Sequence, residues 1–493
     1  KLDYLDLSNF NTHNVIDMRG MFGYCYILSE LNIDNFDVSK VQNMDYMFKE
    51  CHAFTYLNLS HFITSDCQSM KEMFYNCYSL EEINITNFIT TNVNDFGNMF
   101  YNCYSLSNLD LTSFNTQSAE TMYKMFYECR GLEHIEIPNF KGNNVNNMEY
   151  MFYNCILLKS IEFMDFNAPY LEYMNHMFYN CNSLTSIDMK NFKTQIVYNM
   201  ERMFYNCNNL IEINLSQIYT SRVKYTRYMF SSCSKLENIY IPNIQVNNVI
   251  YMQYMFSDCT NLKSLELYQY FVITNVEDMS YMFYNCKNLA NINTKFQSSY
   301  YNWYYYYYKN KNMNYMFTNC NSLISLDFDT SSTFKIYYMD HIFENCRDLI
   351  SLDISRFINY NVRNMGYIFK GCSSLTSINI INFNTYYVNN MERMFSDCIQ
   401  LKYIDENFNT QNVQNMDYMF YNCISLISLN LNGFNTYNVR YMTNIFTNCK
   451  ALLFLDLSAF NTNNINNMNS MFENCTSLTS ITLSTNFYTR NVN

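Results

Sequence analysis

Residues 83–106 read INITNFITTNVNDFGNMFYNCYSL, and they decide the fold because the rest of the chain repeats their pattern. Two isoleucines flank the polar Asn84, an alternation typical of a short, half-buried β-strand. The polar segment NFITTN then predicts a turn. From Val93 onward, apolar residues follow at offsets of +3, +6, +7, +10 and +13, which is the spacing of one face of a helix. The stretch therefore predicts a strand, a turn, a short helix and a second turn.

A ladder of cysteines shows how far this pattern extends. The motif MFYNC occurs seven times, first at 73–77 and last at 419–423. Eighteen of the 19 cysteines are spaced by 26 residues, apart from steps of 27 before Cys286, 34 before Cys320 and 25 before Cys423. These ladder cysteines are Cys25, Cys51, Cys77, Cys103, Cys129, Cys155, Cys181, Cys207, Cys233, Cys259, Cys286, Cys320, Cys346, Cys372, Cys398, Cys423, Cys449 and Cys475.

Such repetition predicts a stacked array rather than several globular domains. One 26-residue unit cannot bury its own apolar side, whereas stacked neighbours can. We therefore predict an α/β repeat fold, a solenoid of about 18 repeats of 26 residues. Its strands form a parallel inner sheet, and its short helices lie on the outer face.

The consensus of the repeat resembles that of a known family. Residues 455–478, LDLSAFNTNNINNMNSMFENCTSL, follow the pattern L-x-L-[ST]-x-F-x-T-x-N-V-x-x-M-x-x-M-F-x-x-C-x-x-L nearly throughout. This pattern is similar to the 26-residue bacterial surface-protein repeat, the BspA-like branch of the leucine-rich repeat surface proteins, which also occurs in mycoplasma lipoproteins. The resemblance implies a leucine-rich repeat solenoid, a location at the cell surface or outside the cell, and a role in adhesion or partner binding without chemistry in the repeats.

One irregular segment divides the array. Residues 1–294 contain eleven ladder cysteines, 295–312 form an aromatic insertion, and 313–493 contain the other seven. We expect one continuous solenoid, in which the insertion marks a bend or a boundary. The chain opens with LDYLDL inside a strand and ends with FYTRNVN where a helix should begin, so we interpret both ends as cut within a repeat.

Composition and motifs exclude several functions. The net charge of −12 provides no basic surface for nucleic acid. No apolar stretch approaches the roughly 20 residues of a transmembrane helix. The sequence has no catalytic triad, metal-ligand set or phosphate-binding loop, which predicts a protein that is not an enzyme and needs no cofactor.

The recurring cysteine is interpreted as packing material. Equivalent positions in a parallel stack point their Cβ atoms the same way, which is poor geometry for a disulfide. The additional cysteine, Cys67, stands where other repeats place Val15 and Val41, so cysteine serves as an apolar filler. The six histidines share no repeat position and no CxxC pair occurs, which argues against zinc. Occasional disulfides or redox chemistry remain the alternative.

The polar residue between the two apolar strand residues gives the first candidate binding surface, because it faces solvent on the concave side. We call this series the concave stripe; nine of its eighteen members are acidic and seven are Asn. Its alternative interpretation is a solvated sheet face that resists aggregation. The predicted binding residues are Asp110, Glu136, Glu162, Asp188, Tyr240, Glu266, Asp327, Asp353, Asp405 and Asp456.

Four acidic members follow one another from Asp110 to Asp188, at about 4.8 Å per repeat. Calcium could bridge such carboxylates, but one ligand per repeat is a thin set and no DxDxDG loop is present. We therefore predict no metal site.

Aromatic residues provide two further candidate surfaces. The insertion KFQSSYYNWYYYYYKNKN contains the only tryptophan and five consecutive tyrosines, which are typical interface anchors but also fit a low-complexity expansion. These residues are Trp303, Tyr304, Tyr305, Tyr306, Tyr307 and Tyr308. Tyrosine pairs at i and i+3, such as Tyr150 and Tyr153, form a convex stripe that fits either lateral association or covering of the joints between repeats.

Together these features predict a non-enzymatic recognition or adhesion module of the cell surface. Its partner would be a protein or a glycan, bound by many weak contacts over an extended face. The alternative is a structural component of a fibre, sheath or coat, built by self-association of solenoids.

Overall fold

Short parallel strands, rarely more than three residues long, organise the chain. The computed structural model describes residues 2–189, 191–241, 245–265, 270–292, 295–297, 311–329, 334–404 and 408–488. They form two compact units, Lys1–Asn248 (unit 1) and Val249–Asn493 (unit 2). Within each unit the chain winds as a parallel β-solenoid, which confirms the predicted repeat architecture.

Unit 1 contains twelve strands. They are β1 (Tyr4–Asp6), β2 (Glu30–Asn32), β3 (Tyr56–Asn58), β4 (Glu82–Asn84), β5 (Asn108–Asp110), β6 (His134–Glu136), β7 (Ser160–Glu162), β8 (Asn167–Ala168), β9 (Ser186–Asp188), β10 (Lys193–Thr194), β11 (Glu212–Asn214) and β12 (Asn238–Tyr240). Each pairs in parallel with the equivalent strand one repeat away, as Leu57 does with Ile83.

The strands of unit 2 follow the same rule. They are β13 (Ser264–Leu265), β14 (Tyr270–Val272), β15 (Asn291–Ile292), β16 (Lys295–Gln297), β17 (Lys311–Asn312), β18 (Phe334–Tyr338), β19 (Ser351–Asp353), β20 (Phe357–Ile358), β21 (Ser377–Asn379), β22 (Tyr403–Ile404), β23 (Ser428–Leu429), β24 (Phe454–Leu457) and β25 (Ser480–Leu483). The three-stranded sheet β17–β18–β20 begins with the last two residues of the insertion, and the other described sheets are two-stranded.

The predicted outer helices are wrong: no segment of the described residues forms an α-helix. The segment that starts at Val93 instead makes consecutive tight turns. Met99 N–H donates to the carbonyl of Phe96 at 3.2 Å, three residues back. Asn98 N–H and Phe100 N–H donate to the next repeat, at 2.8 and 2.9 Å. Because every second N–H leaves the segment in this way, no run of i to i−4 bonds can form.

Left-handed residues make these turns. Each repeat has two residues with positive φ, located five and one positions before its ladder cysteine. In the repeat of residues 83–106, which serves as the specimen repeat, they are Asn98 (φ 55°) and Asn102 (φ 58°). Asn adopts this conformation more readily than most residues, and eleven of the eighteen ladder cysteines follow an Asn. The side chains at this position also bond each other, as Asn102 Nδ2 does with Asn76 Oδ1 at 2.8 Å.

The inward positions are nevertheless as predicted. Val93, Phe96, Met99 and Phe100 are fully buried. The phenylalanine three residues before each ladder cysteine stacks on its equivalents in neighbouring repeats, with ring centroids 5.3 Å apart for Phe74 and Phe100. Successive turns of three or four residues therefore return side chains to the core at the same spacing as a helix does.

The threonine of the FxT motif fastens one corner of the coil to the next. Thr90 Oγ1 donates to the carbonyl of Asn115 at 3.0 Å and accepts the N–H of the same residue at 2.8 Å. Thr64, Thr116, Thr410 and Thr436 make the same pair of bonds. These hydroxyls are buried, so they satisfy backbone groups that water cannot reach.

The ladder cysteines are free and, apart from the half-exposed Cys25 and Cys475, buried. Their thiols also donate hydrogen bonds. Cys103 Sγ lies 3.2 Å from the carbonyl oxygen of Phe74 in the preceding repeat, and fifteen other ladder cysteines make the same contact at 3.0–3.2 Å. Packing was predicted correctly, and the donor role was not foreseen.

Replacing Thr90 by Val tests the corner bond. The variant keeps the side-chain shape but leaves the N–H and C=O of Asn115 without a partner, so we expect unfolding to become easier by about 1–3 kcal/mol. The control Thr90→Ser keeps the hydroxyl and should cost about 0.8 kcal/mol for the lost methyl. The measurement is the midpoint of urea unfolding. A Val variant no less stable than the Ser variant would contradict this role.

The burial of the thiols predicts their reactivity. Burial raises the pKa of Cys51 and Cys372 to about 12, so almost no thiolate exists at pH 8. In the native protein we expect Ellman's reagent to modify Cys25 and Cys475 alone. After unfolding without reductant, all 19 thiols should react. A clear deficit after unfolding would show disulfides instead.

Candidate recognition groove

Two columns of side chains cover the solvent face of the strands. In strands such as β3, β5 and β7 the central residue is buried and the residues on both sides are exposed. The third residue of each strand belongs to the concave stripe of the sequence prediction. The first residue forms a second column that the sequence reasoning missed, although residues i and i+2 of a strand always share a face.

Most members of the concave stripe have a structural task. Asp110 Oδ1 accepts the N–H of Thr112 at 2.9 Å, and Asn58 Oδ1 accepts that of Ser60 at 3.1 Å. Such Asx turns end a strand by bonding the backbone two residues on. In Asp456 the hydrogen bonds from Ser458 also lower the carboxyl pKa. The preference for Asp and Asn along the stripe therefore reflects turn formation.

The two described glutamates of the stripe make no such bond. Glu136 and Glu162 accept no backbone N–H from the residue two positions on, and Glu136 cannot do so because that residue is Pro138, which lacks an N–H. Glu162 lies opposite Asp188 in the pairing of β7 with β9, and Glu136 lies opposite Asp110 in that of β5 with β6. Like charges on facing positions are unfavourable. Local structure therefore does not explain these two glutamates.

A groove of about 950 Å³ lies over this part of unit 1. It follows β6, β7, β9, β11 and β12. Among the described residues, its lining includes carboxylates and aromatic or amide groups but no Lys or Arg. The ionisable side chains of the lining are Glu136, Glu162, Asp188, Glu212, His134 and Tyr240. Tyr240 and Met164 expose about half of their surface, 48% and 54%.

The groove brings together four of the predicted stripe residues and adds two that were missed. Glu212 and His134 are the first residues of their strands and belong to the second column. Asp110 faces Glu136 across a strand pair but is not part of the groove lining. The two columns together give this surface its width.

The other predicted residues are distributed differently. Asp353 accepts hydrogen bonds from Ser355 and Asn379, and Asp456 pairs across β24 and β25 with Thr482. Asp327 forms an ion pair with Lys295 at 3.1 Å. Two predicted stripe residues and the six predicted residues of the insertion lie outside the described part of the chain; they are Glu266, Asp405, Trp303, Tyr304, Tyr305, Tyr306, Tyr307 and Tyr308.

The predicted convex tyrosines lie on the left-handed turns rather than on helices. Tyr150 and Tyr153 contact each other with ring centroids 5.7 Å apart. Along unit 1, six rings from Tyr75 to Tyr205 stack face to face at 4.5–4.8 Å, one per repeat. Burial raises the pKa of Tyr101 to about 12. These half-buried rings cover the joints between repeats.

No group of three or more His, Cys, Asp or Glu side chains in the described ranges is arranged to hold a metal ion. None of these ranges forms a helix long and apolar enough to cross a membrane.

Comparison with protein families decides the relationship of the chain. The family model described as "Mycoplasma protein of unknown function, DUF285" matches residues 1–107, 78–186, 128–238, 172–296, 311–426 and 400–493. The chain belongs to this family. Membership confirms the resemblance to the bacterial surface-protein repeat.

Solved structures similar to this DUF285 chain are themselves repeat proteins. A leucine-rich repeat protein from Bacteroides ovatus is 19% identical, with 82% of this chain and 80% of that chain covered and a TM-score of 0.37. A leucine-rich cell surface protein from Faecalibacterium prausnitzii is 16% identical, with 71% and 83% covered and a TM-score of 0.29. A comparison with curated proteins finds no relative.

The like charges in the groove predict a stability effect. Glu162→Gln removes repulsion with Asp188 and should stabilise the DUF285 chain by about 0.2–1 kcal/mol. The matched control is Glu82→Gln, because Glu82 faces the uncharged Tyr56 across β3 and β4. Urea unfolding of both variants measures the difference. A Glu162→Gln variant no more stable than the control would show that repulsion is absent.

Proposed function

We propose that this chain is a non-enzymatic recognition module of the cell surface, which binds a basic segment of a protein partner in the groove of unit 1. The observation that carries the proposal is the position of Glu136 and Glu162 along one open groove, since these two glutamates make no Asx turn. Side chains that local structure does not require are available for a partner.

Charge and shape favour a basic partner. The described lining contains Glu136, Glu162 and Glu212 but no Lys or Arg, so its charge attracts cations. A lysine or arginine of the partner would form charge-assisted hydrogen bonds with the carboxylates of Glu136 and Glu162. The exposed ring of Tyr240 lies at the end of the groove and is suited to anchor an aliphatic stem or stack on a guanidinium group.

The site is suited to binding rather than catalysis. The groove is open, and a regular ladder of strands holds its side chains at a spacing of about 4.8 Å per repeat. Many similar weak contacts over such a surface add up to useful affinity. The proposed cell-surface location rests on the family resemblance, and a structural role through self-association is the alternative function.

Charge reversal tests the groove. The double variant Glu136→Lys/Glu162→Lys should bind a repeating Lys-Thr peptide at least about tenfold more weakly than the unaltered protein, because it replaces attraction by repulsion. The matched control Glu30→Lys/Glu82→Lys reverses two charges in the second column of β2 and β4, outside the groove. Titration calorimetry gives the affinities.

Ionic strength provides an independent check. Raising it from about 0.01 to 0.15 M shortens the Debye length from about 30 to 8 Å, so affinity for the peptide should fall. Equal binding by both double variants would refute the groove as the site. Regular filaments in the absence of any ligand, with no peptide binding, would favour the structural role.

A further inference from the structure

A strip of exposed tyrosines at one corner of unit 2 differs from every other aromatic surface described above. In the repeat of residues 83–106, Thr90 makes the corner bond and Thr91 follows it. The strip consists of the residues equivalent to Thr91 in five consecutive repeats of unit 2. These residues, which we name the corner strip, are Tyr360, Tyr386, Gln411, Tyr437 and Asn463. The tyrosines expose 61%, 41% and 54% of their surface.

The ring faces of the corner strip are open. In the row from Tyr75 to Tyr205 each ring stacks on the next, so the inner faces are covered. By contrast, Tyr360, Tyr386 and Tyr437 make no ring contact with one another within the described residues. Tyr386 makes a single ring contact, a T-shaped one with the adjacent Tyr387, at a centroid distance of 4.8 Å and an interplanar angle of 83°. Exposed aromatic faces in register along a solenoid form a platform for a ligand.

Side-chain amides accompany the rings. Asn384 Oδ1 accepts the N–H of Tyr386 at 2.9 Å, and Asn435 Oδ1 accepts that of Tyr437 at 3.1 Å. These bonds hold each amide two residues before its ring. Within the described residues, the Nδ2 groups of Asn384 and Asn435 donate to no protein atom, so each remains a free donor. Two of the three tyrosine rings are therefore each accompanied by a free amide donor.

The residues of the corner strip and of the segments that contain them are uncharged, and the exposed Arg356, Arg363 and Arg440 flank these segments. The segments 357–362, 383–388, 408–413, 434–439 and 460–465 read FINYNV, FNTYYV, FNTQNV, FNTYNV and FNTNNI, without one acidic or basic residue. The equivalent position in the repeats of unit 1 holds no aromatic residue apart from His13; examples are Ser39, Ser65 and Gln117. The aromatic character is therefore not a requirement of the repeat itself.

We propose that the corner strip binds a neutral, linear glycan. Sugar rings present apolar C–H faces that pack on tyrosine rings, and their hydroxyls accept hydrogen bonds from amide Nδ2 groups. The repeat spacing of about 4.8 Å is comparable to the length of one pyranose ring, so successive sugars meet successive repeats. A protein partner would need a contiguous apolar core, whereas here free amides accompany two of the rings.

This site deepens the proposed recognition function, yet it lies in unit 2 and does not involve the groove. The test uses maltohexaose, cellohexaose and laminarihexaose as neutral probes and a heparin hexasaccharide as the anionic comparison. Titration calorimetry on the whole chain should show binding of at least one neutral hexasaccharide and none of the anionic one.

Variants locate the site. Tyr360→Ala/Tyr437→Ala should weaken the binding of that hexasaccharide at least about tenfold, because two stacking platforms are lost. The matched control Tyr170→Ala removes a tyrosine of unit 1 that is 60% exposed and should leave the affinity unchanged. Thermal unfolding of each variant checks that the fold is intact.

Several results would overturn the proposal. They are the absence of hexasaccharide binding at millimolar concentration, preference for the anionic probe, or unaltered affinity of the double tyrosine variant. The groove variant Glu136→Lys/Glu162→Lys should retain glycan binding. Loss of peptide binding with retained glycan binding, or the reverse, therefore shows which of the two sites has failed.

Discussion

The hydrogen bond that each tight turn donates to the next repeat is the interaction on which the remaining structure depends. Asn98 N–H, for example, reaches the carbonyl of Tyr123 at 2.8 Å. Such bonds fix each repeat directly above its neighbour, so equivalent side chains come into contact. The phenylalanine stack, the asparagine bonds and the tyrosine rows are consequences of that register. The thiol of Cys103 adds a further bond between repeats, because it donates to the carbonyl of Phe74, which also accepts the N–H of Cys77.

The sequence was sufficient to predict the repeat, the strands and the buried positions, because all three follow from periodicity. It did not distinguish a helix from stacked turns, since both return side chains to the core every three or four residues. A usable signal was present in the Asn that precedes so many ladder cysteines. Asn is unremarkable at the end of a helix, but left-handed residues such as Asn98 and Asn102, four positions apart, cannot both belong to one.

The candidate groove was predictable in part. Alternation within each strand identified Glu136, Glu162 and Asp188 as exposed, but the prediction placed strand-ending residues such as Asp110 in the same binding set. The structure separates residues that end strands, such as Asp110 and Asn58, from those that local geometry does not need. This distinction depends on hydrogen bonds to residue i+2, which the pattern of residue types does not show. Glu212 was missed because only one of the two exposed columns was considered.

Irregular repeats show how strictly the corner bonds are required. In a regular repeat, an asparagine such as Asn92 donates Nδ2 to the carbonyl of Ser65 in the preceding coil, at 2.8 Å. Near the end of the insertion, the side chain of Lys311 donates to the equivalent carbonyl, that of Thr274, at 3.2 Å. Its Nζ also donates to the carbonyls of Ile273 and Val276, although the side chain is almost completely buried. Burial of a lysine is unfavourable unless its donors are satisfied. The array therefore accepts inserted residues provided that another side chain donates to the backbone carbonyls that Asn serves in a regular repeat. Positions that make no such structural hydrogen bond can vary and can contribute to recognition.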